Sequence, residues 1–199
     1  MSFPGKDRIL KKLFTYRGYA YILPFGLMAI ITYGEWEQDA TLWPLGSAII
    51  IPGFLIRLWA TKHIGKRMPW MKKKRKYLVK TGPYALVRNP LYIGNILIAM
   101  GLSILSELIW FVPLSFFYLF ILYHFVVRYE EKKLTERWGK EYLEYLREVP
   151  RWVPKVRNFP RLTQGSFRWI DALRSELPSL YVILFSIVIF AMKELLSHR

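Results

Sequence analysis

The chain contains no cysteine, which excludes disulfides, thiolate nucleophiles and metal sites built on sulfur. Its three histidines, His63, His124 and His198, are far apart, and none has a second histidine three or four residues away. No metal site is therefore expected. No G-x-G-x-x-G follows a strand pattern and strand–helix alternation is missing, so a soluble dinucleotide-binding fold is not supported. A G-x-S-x-G element is missing too, which weakens a serine hydrolase reading. The chain has no low-complexity tract and no convincing internal repeat, against a transporter assembled from repeats. Acidic residues are scarce: 14 Asp and Glu against 30 Lys and Arg give a formal net charge of +16. In a soluble protein that excess would point to nucleic acid. Here the basic residues lie between long apolar runs, so the expected anionic partner is the lipid headgroup layer and not nucleic acid.

Hydrophobic residues make up 53% of the chain and are gathered in runs instead of being spread at amphipathic spacing, which favours a membrane protein over a globule. Five apolar segments can be drawn, at about 18–34, 42–60, 91–106, 108–127 and 178–192. A crossing takes about 20 residues, with a range of about 17–25. The third and fifth segments are short and must lean on their interfacial flanks. Only Ser106 and Glu107 separate the third from the fourth, which predicts a tight antiparallel helical hairpin. The expected fold is an all-α integral membrane protein of about five transmembrane helices, a single membrane domain over 1–199. The first apolar run follows Lys6, Arg8, Lys11, Lys12 and Arg17, as a signal peptide would, but no small-residue cleavage site precedes Glu35-Trp36-Glu37. It reads as a retained first helix.

The intervening segments 61–90 and 128–177 are rich in Lys and Arg, including the basic run 72–76, whereas 35–41 carries Glu35, Glu37 and Asp39 and no basic residue. By the positive-inside rule the N-terminus and both long segments are cytoplasmic and the C-terminus is outside. Arg57 falls inside the second apolar run. It either snorkels to the headgroups or lines a polar cavity. The stretch 155–177 mixes Phe159, Leu162, Phe167, Trp169, Ile170 and Leu173 with arginines, a composition that predicts an interfacial amphipathic helix leading back to the last span.

Two short stretches concentrate unusual residues. In the first, Gly82-Pro83-Tyr84 and Arg88-Asn89-Pro90-Leu91-Tyr92-Ile93-Gly94 combine two turn signals with a helix start, Pro90 in the first turn and Asn89 as N-cap. The free N–H groups of a helix N-terminus favour a carboxylate or phosphate there; a cap and a snorkelling arginine would account for Arg88 and Asn89 without function. In the second, His124, Arg128 and Glu131 fall within about 60° of one another on a helix, while Glu130 takes the neighbouring face. Adjacent carboxylates at a membrane surface are costly unless they meet cations or water; pairing of Arg128 with Glu131 and solvation of Glu130 would meet that requirement. Farther on, Gly139 looks like a helix C-cap, and Tyr142 and Tyr145 share a face, either for a site or as part of an interfacial aromatic belt.

Together with Glu130-Glu131, Trp138-Gly139-Lys140-Glu141-Tyr142-Leu143-Glu144-Tyr145 and Arg151-Trp152-Val153-Pro154, these stretches resemble the membrane methyltransferases that include isoprenylcysteine carboxyl methyltransferases and phospholipid N-methyltransferases. The resemblance runs from about 57 to 154, and its order and spacing are more specific than any one motif. The family's usual histidine is Asn89 here, which cannot shuttle protons near neutral pH. The resemblance implies S-adenosylmethionine as methyl donor, bound in a cytoplasmic pocket, and a lipid-like acceptor entering from the bilayer, with a phospholipid amine slightly favoured over a prenylcysteine carboxyl. It implies Glu130, Glu131 and Arg88 as catalytic residues. For the cofactor it implies Tyr84, Arg88, Asn89, Tyr92, Gly94, His124, Glu131, Tyr142 and Tyr145. The alternative is a non-catalytic lipid-binding protein that retains the fold.

Overall fold

The computed structural model describes residues 4–19, 22–31, 34–36, 38–64, 77–155 and 168–197. Among these every regular element is helical. In chain order they are α1 (Pro4–Tyr16), a 3-10 turn (Arg17–Tyr19), α2 (Ile22–Ile30), α3 (Asp39–Ile64), α4 (Pro83–Leu86), α5 (Pro90–Leu105), α6 (Phe111–Trp138), α7 (Lys140–Glu148) and α8 (Trp169–Ser197). Three of them, α3, α6 and α8, are long and apolar enough to cross a membrane. Helix α5 is apolar but has 16 residues, a rise of about 24 Å against a hydrocarbon core of about 30 Å. Within the first expected span the described α-helix is the nine-residue α2, which packs through Phe25 on Phe185 and Phe190 of α8. The outward faces of the long helices are apolar and exposed, with Leu45, Ile51 and Leu55 on α3, Phe117 and Ile121 on α6, and Leu184, Phe185 and Val188 on α8. Continuous apolar surface of this kind is what a bilayer covers.

Two boundaries differ from expectation. The link between α5 and α6 runs over 106–110, with Glu107 at φ +62° and the fourth helix beginning at Phe111. The residues Trp169–Leu177 are not a separate interfacial helix: they are the opening turns of α8, which continues through Pro178. A membrane helix accommodates an internal proline where neighbouring groups satisfy the freed backbone. Residues 156–167 and the basic run 72–76 lie outside the described residues.

Helices α3 and α5 pack antiparallel, and glycines set their separation. A Cβ on Gly46 would stand 2.8 Å from the carbonyl oxygen of Gly101, and one on Gly101 would stand 2.7 Å from that of Gly46. One turn-pair along, a Cβ on Gly94 would stand 2.6 Å from the oxygen of Gly53 and 2.6 Å from Cγ of Arg57. In lipid, where helix association relies on close van der Waals contact, small residues at the seam let backbones approach in this way. Gly46 and Gly53 are seven residues apart, as are Gly94 and Gly101, the repeat that keeps one seam facing its partner.

Arg57 neither snorkels nor lines a cavity. Its side chain is 9% exposed and ion-pairs with Glu176 of α8, itself 3% exposed, at 2.5 Å. The guanidinium also donates to Ser179 Oγ at 2.7 Å and to Asn95 Oδ1 of α5. Thr61 donates to the other oxygen of Glu176 at 2.6 Å, and Asn95 passes a hydrogen bond on to the Tyr123 hydroxyl of α6 at 2.9 Å. Polar groups from four helices are thus satisfied by one another within an apolar bundle, as burial of charge requires. Removing one partner of a buried pair costs about 3–5 kcal/mol because the other charge is stranded, whereas replacing both by apolar residues costs far less. Glu176→Leu is therefore expected to destabilise the protein by about 3–5 kcal/mol in detergent unfolding. The double variant Arg57→Leu/Glu176→Leu should recover most of that loss; equal losses in the two would contradict the pairing.

Candidate functional site

The site is built where the chain enters α5 and leaves α6. Gly82, at φ +61°, turns the chain over the His63 ring, where an added Cβ would come within 2.5 Å. Pro83 opens the short α4, Val87 is extended, and Pro90 occupies the first turn of α5. Asn89 stands at the N-cap position, but its side chain does not cap: Nδ2 donates instead to the Arg151 carbonyl at 3.1 Å. The reason is a second strand of chain alongside. Arg88 N–H donates to the Pro150 carbonyl and Lys155 N–H to the Leu86 carbonyl, both at 2.9 Å. The segment after α7 is thereby stitched to the segment before α5.

Helix α6 ends at Gly139, whose φ of +52° reverses the chain into α7 and whose N–H closes on Thr135. This turn lays Tyr142 and Tyr145 against the α4–α5 entry. Their rings are tilted, 5.8 Å apart, and the Tyr145 hydroxyl donates to the Tyr84 carbonyl at 2.8 Å. Burial, followed by the Glu131 charge at Tyr142 and by Tyr84 at Tyr145, pushes both phenols well above their ordinary range. Both are neutral donors at any physiological pH. Lys80 and Glu141 of α7 form an ion pair at 2.8 Å.

The two adjacent carboxylates have different neighbours. Glu131 is clamped between two arginines: Oε1 meets Arg88 Nη1 at 2.8 Å and Arg151 Nε at 3.0 Å, and Oε2 meets Arg151 Nη2 at 2.5 Å. The fork geometry with Arg151 is the strong, charge-assisted kind. Glu130 accepts a hydrogen bond from the Tyr92 hydroxyl at 3.0 Å and pairs with no cation among the described residues. The Tyr92 ring stacks on Tyr123 at 4.5 Å, so Tyr92 joins this site to the buried polar network around Arg57.

Tyr84, Arg88, Asn89, Tyr92, Glu130, Glu131, Tyr142 and Tyr145 all line one cleft, with Ile64, Val79 and Leu91 as its apolar wall. Two residues expected with them lie elsewhere. Gly94 is in the α3–α5 seam against Arg57. His124 is half-buried beside the rings of Phe120 and Phe125, and Arg128 on the same helix face points to the exterior. Sharing a face did not bring His124, Arg128 and Glu131 together, because the clamp draws Glu131 toward arginines from other elements. Arg151 belongs at the site and was absent from the expected set, although it opens the Arg151–Pro154 stretch; its role depends on a turn that sequence spacing does not encode. One further feature marks the cleft: Arg88 Nε is buried and has no acceptor.

A family model described as phospholipid methyltransferase matches residues 42–141, half of the sequence. The chain belongs to the phospholipid methyltransferase family. The match begins near the start of α3 and ends in α7, so it takes in the glycine seam, the α5 entry and the Glu130–Glu131 pair. Among curated proteins, the chain is 34% identical over 120 residues to the protein-S-isoprenylcysteine O-methyltransferase of Saccharomyces cerevisiae, covering 56% of this chain and 48% of that one. It is 31% identical over 138 residues to the cobalt-zinc-cadmium resistance protein CzcN of Cupriavidus metallidurans, covering 68% of this chain and 57% of that one. It is 29% identical over 137 residues to the nickel-cobalt-cadmium resistance protein NccN of Alcaligenes xylosoxydans xylosoxydans, covering 67% and 61%. The chain thus spans roughly half to three-fifths of the length of these relatives. No solved structure matches.

Glu131→Gln should loosen the stitched segments by removing the charge from the clamp, at about 1.5–3 kcal/mol for hydrogen bonds to a charged group. Amide hydrogen exchange at Arg88 and Lys155 is expected to quicken by about tenfold or more, while exchange within α3 and α8 stays unchanged. Unaltered exchange at Arg88 and Lys155 would show that the clamp does not hold the segments.

Proposed function

We propose that the protein transfers a methyl group from S-adenosylmethionine to a lipid or lipidated acceptor embedded in the membrane, with a phospholipid amine slightly favoured over a prenylcysteine carboxyl. The observation that carries this reading is the division of labour between Glu130 and Glu131 in a cleft lined by tyrosines, within a chain of the phospholipid methyltransferase family. The residues fit the cofactor. A buried Arg88 Nε without an acceptor and an α5 N-terminus without a side-chain cap suit its carboxylate. Tyr84, Tyr92 and Tyr142 offer ring faces to adenine or to a cation. Asn89, turned toward Arg151, positions the stitched segment and needs no proton-shuttling histidine.

When bound, the cofactor supplies an electrophilic methyl on a sulfonium, and transfer of that group is an in-line displacement. The chain's own contribution is then orientation, exclusion of water and charge. Glu131 is a positioning residue in this scheme, since its oxygens are committed to Arg88 and Arg151. Glu130 is the carboxylate available to the acceptor. An amine acceptor reacts only as the free base, and Glu130 takes the ammonium proton; a carboxylate acceptor needs no base. That need is what favours the amine, while the yeast relative's name makes prenylcysteine the competing acceptor. The apolar wall of Ile64 and Leu91 at the bilayer end suits an acyl or prenyl chain. We further place this cleft on the cytoplasmic side, in a bundle of about five crossings with the C-terminus outside, because Lys and Arg are concentrated in 61–90 and 128–177 and would also engage anionic headgroups.

The test is incubation of the purified protein with methyl-labelled S-adenosylmethionine, a membrane lipid extract and a prenylcysteine substrate. Label is expected in an amine-bearing lipid, and Glu130→Gln should lower its rate by about 100-fold or more, the usual contribution of a general base. Label in neither acceptor would contradict the reading. Label in prenylcysteine alone, undiminished in Glu130→Gln, would overturn the amine preference and the role of Glu130.

A further inference from the structure

At the end of the bundle opposite the cleft, three carboxylates from three elements converge. Asp39 is in the first turn of α3, Glu107 is in the α5–α6 link, and Glu194 is near the end of α8. One oxygen from each lies within 4.8 Å of the others. Glu107 is the decisive member. It is 3% exposed, and both of its carboxylate oxygens are buried without a hydrogen-bond donor. The turn that carries it is pinned, since the Glu107 carbonyl accepts from the Trp36 N–H at 3.1 Å. The nearby cation is already committed: Lys193 pairs with Glu35 and donates to the Ile31 carbonyl at 2.6 Å. An uncompensated buried carboxylate is costly, and the cost is met either by a proton or by a cation.

We propose that Asp39, Glu107 and Glu194 form a binding site for a hard divalent cation, which ties the starts and ends of α3, α5, α6 and α8 together at this face. The lack of cysteine and of paired histidines, which made a metal unexpected from sequence, bears only on soft and borderline ions. All three ligands here are oxygens, which suit Ca2+, Mg2+ or Mn2+ over ions that prefer nitrogen or sulfur. Oxygens around such an ion, at about 2.1–2.5 Å from it, stand up to about 5 Å apart when opposite one another. The present separations thus need little closure. The competing explanation is a proton shared between Asp39 and Glu107. It requires no ion, and it is distinguishable by experiment.

The full chain in detergent, stripped with a chelator, is titrated with CaCl2, MgCl2 and MnCl2 at constant ionic strength. Thermal unfolding and calorimetry are followed, with the free Mn2+ signal as a direct count of bound ion. Saturable binding of one ion per chain is expected, with a rise in unfolding temperature reversed by chelator. Glu107→Gln should weaken binding by at least about tenfold. Asp39→Asn, at an exposed position that leaves the buried core untouched, should do the same if Glu107→Gln fails to fold. Absence of saturable binding up to about 10 mM, well beyond the roughly 0.1–1 mM of the weakest oxygen-ligand sites, would overturn the proposal in favour of the shared proton. Equal binding by wild type and both variants would overturn it as well. The site lies away from the cleft, so methyl transfer and ion binding can fail independently.

Discussion

Where α3 and α5 meet, four glycines replace side chains with bare backbone. The distances allowed to an added Cβ at Gly46, Gly101 and Gly94, all below 3.0 Å, leave no room for a methyl group without parting the helices. The rest of the bundle is arranged from this contact. It sets α5 close enough for Arg57 on α3 to reach across to Asn95, and Gly94 makes way for the stem of that arginine. Asn95 in turn holds Tyr123 on α6, and Glu176 ties α8 to the same guanidinium. In lipid there is no hydrophobic force between apolar helices, so such an assembly depends on close packing and on satisfied polar contacts. Both occur here at one level of the bundle.

The same geometry governs the cleft. The C-terminal end of α3 and the N-terminal end of α5 lie at one end of the seam, so Ile64 and Leu91 form one wall together. The opposite wall comes from α6 and α7, reversed at Gly139. Glu131 closes the arrangement by holding one arginine from before α5 and another from after α7. A carboxylate used in this way is neutralised and fixed. Its neighbour Glu130 faces the cleft and accepts a hydrogen bond from the Tyr92 hydroxyl. Two identical side chains thus have different surroundings, the condition under which carboxylate pairs can take different roles.

Much of this was legible in the sequence. Hydrophobic runs located α3, α6 and the body of α8, Pro90 marked the start of α5, and Gly139 marked the end of α6. Eight residues named from the motifs line a common cleft. What sequence could not supply was long-range pairing. Glu176 is 119 residues from Arg57, and Pro178 disguised it as part of a surface segment by appearing to begin the span. The tie between Glu131 and Arg151 depends on how α7 folds back, which no helical periodicity conveys. Gly94 was assigned through resemblance to a cofactor role, while a purely physical signal, the sevenfold spacing it shares with Gly101 and that Gly46 shares with Gly53, pointed to packing.

On the proposed reading, the cleft between α5 and α7 holds S-adenosylmethionine and the Glu131 clamp shapes it for that ligand. Calorimetric titration of the purified protein with S-adenosylmethionine tests it most directly. One cofactor per chain is expected to bind to the wild type, with affinity reduced about tenfold or more in Glu131→Gln as the loosened clamp adds an ordering cost of about 1.4 kcal/mol or more. Binding that is absent from the wild type, or equal in the two proteins, would contradict it.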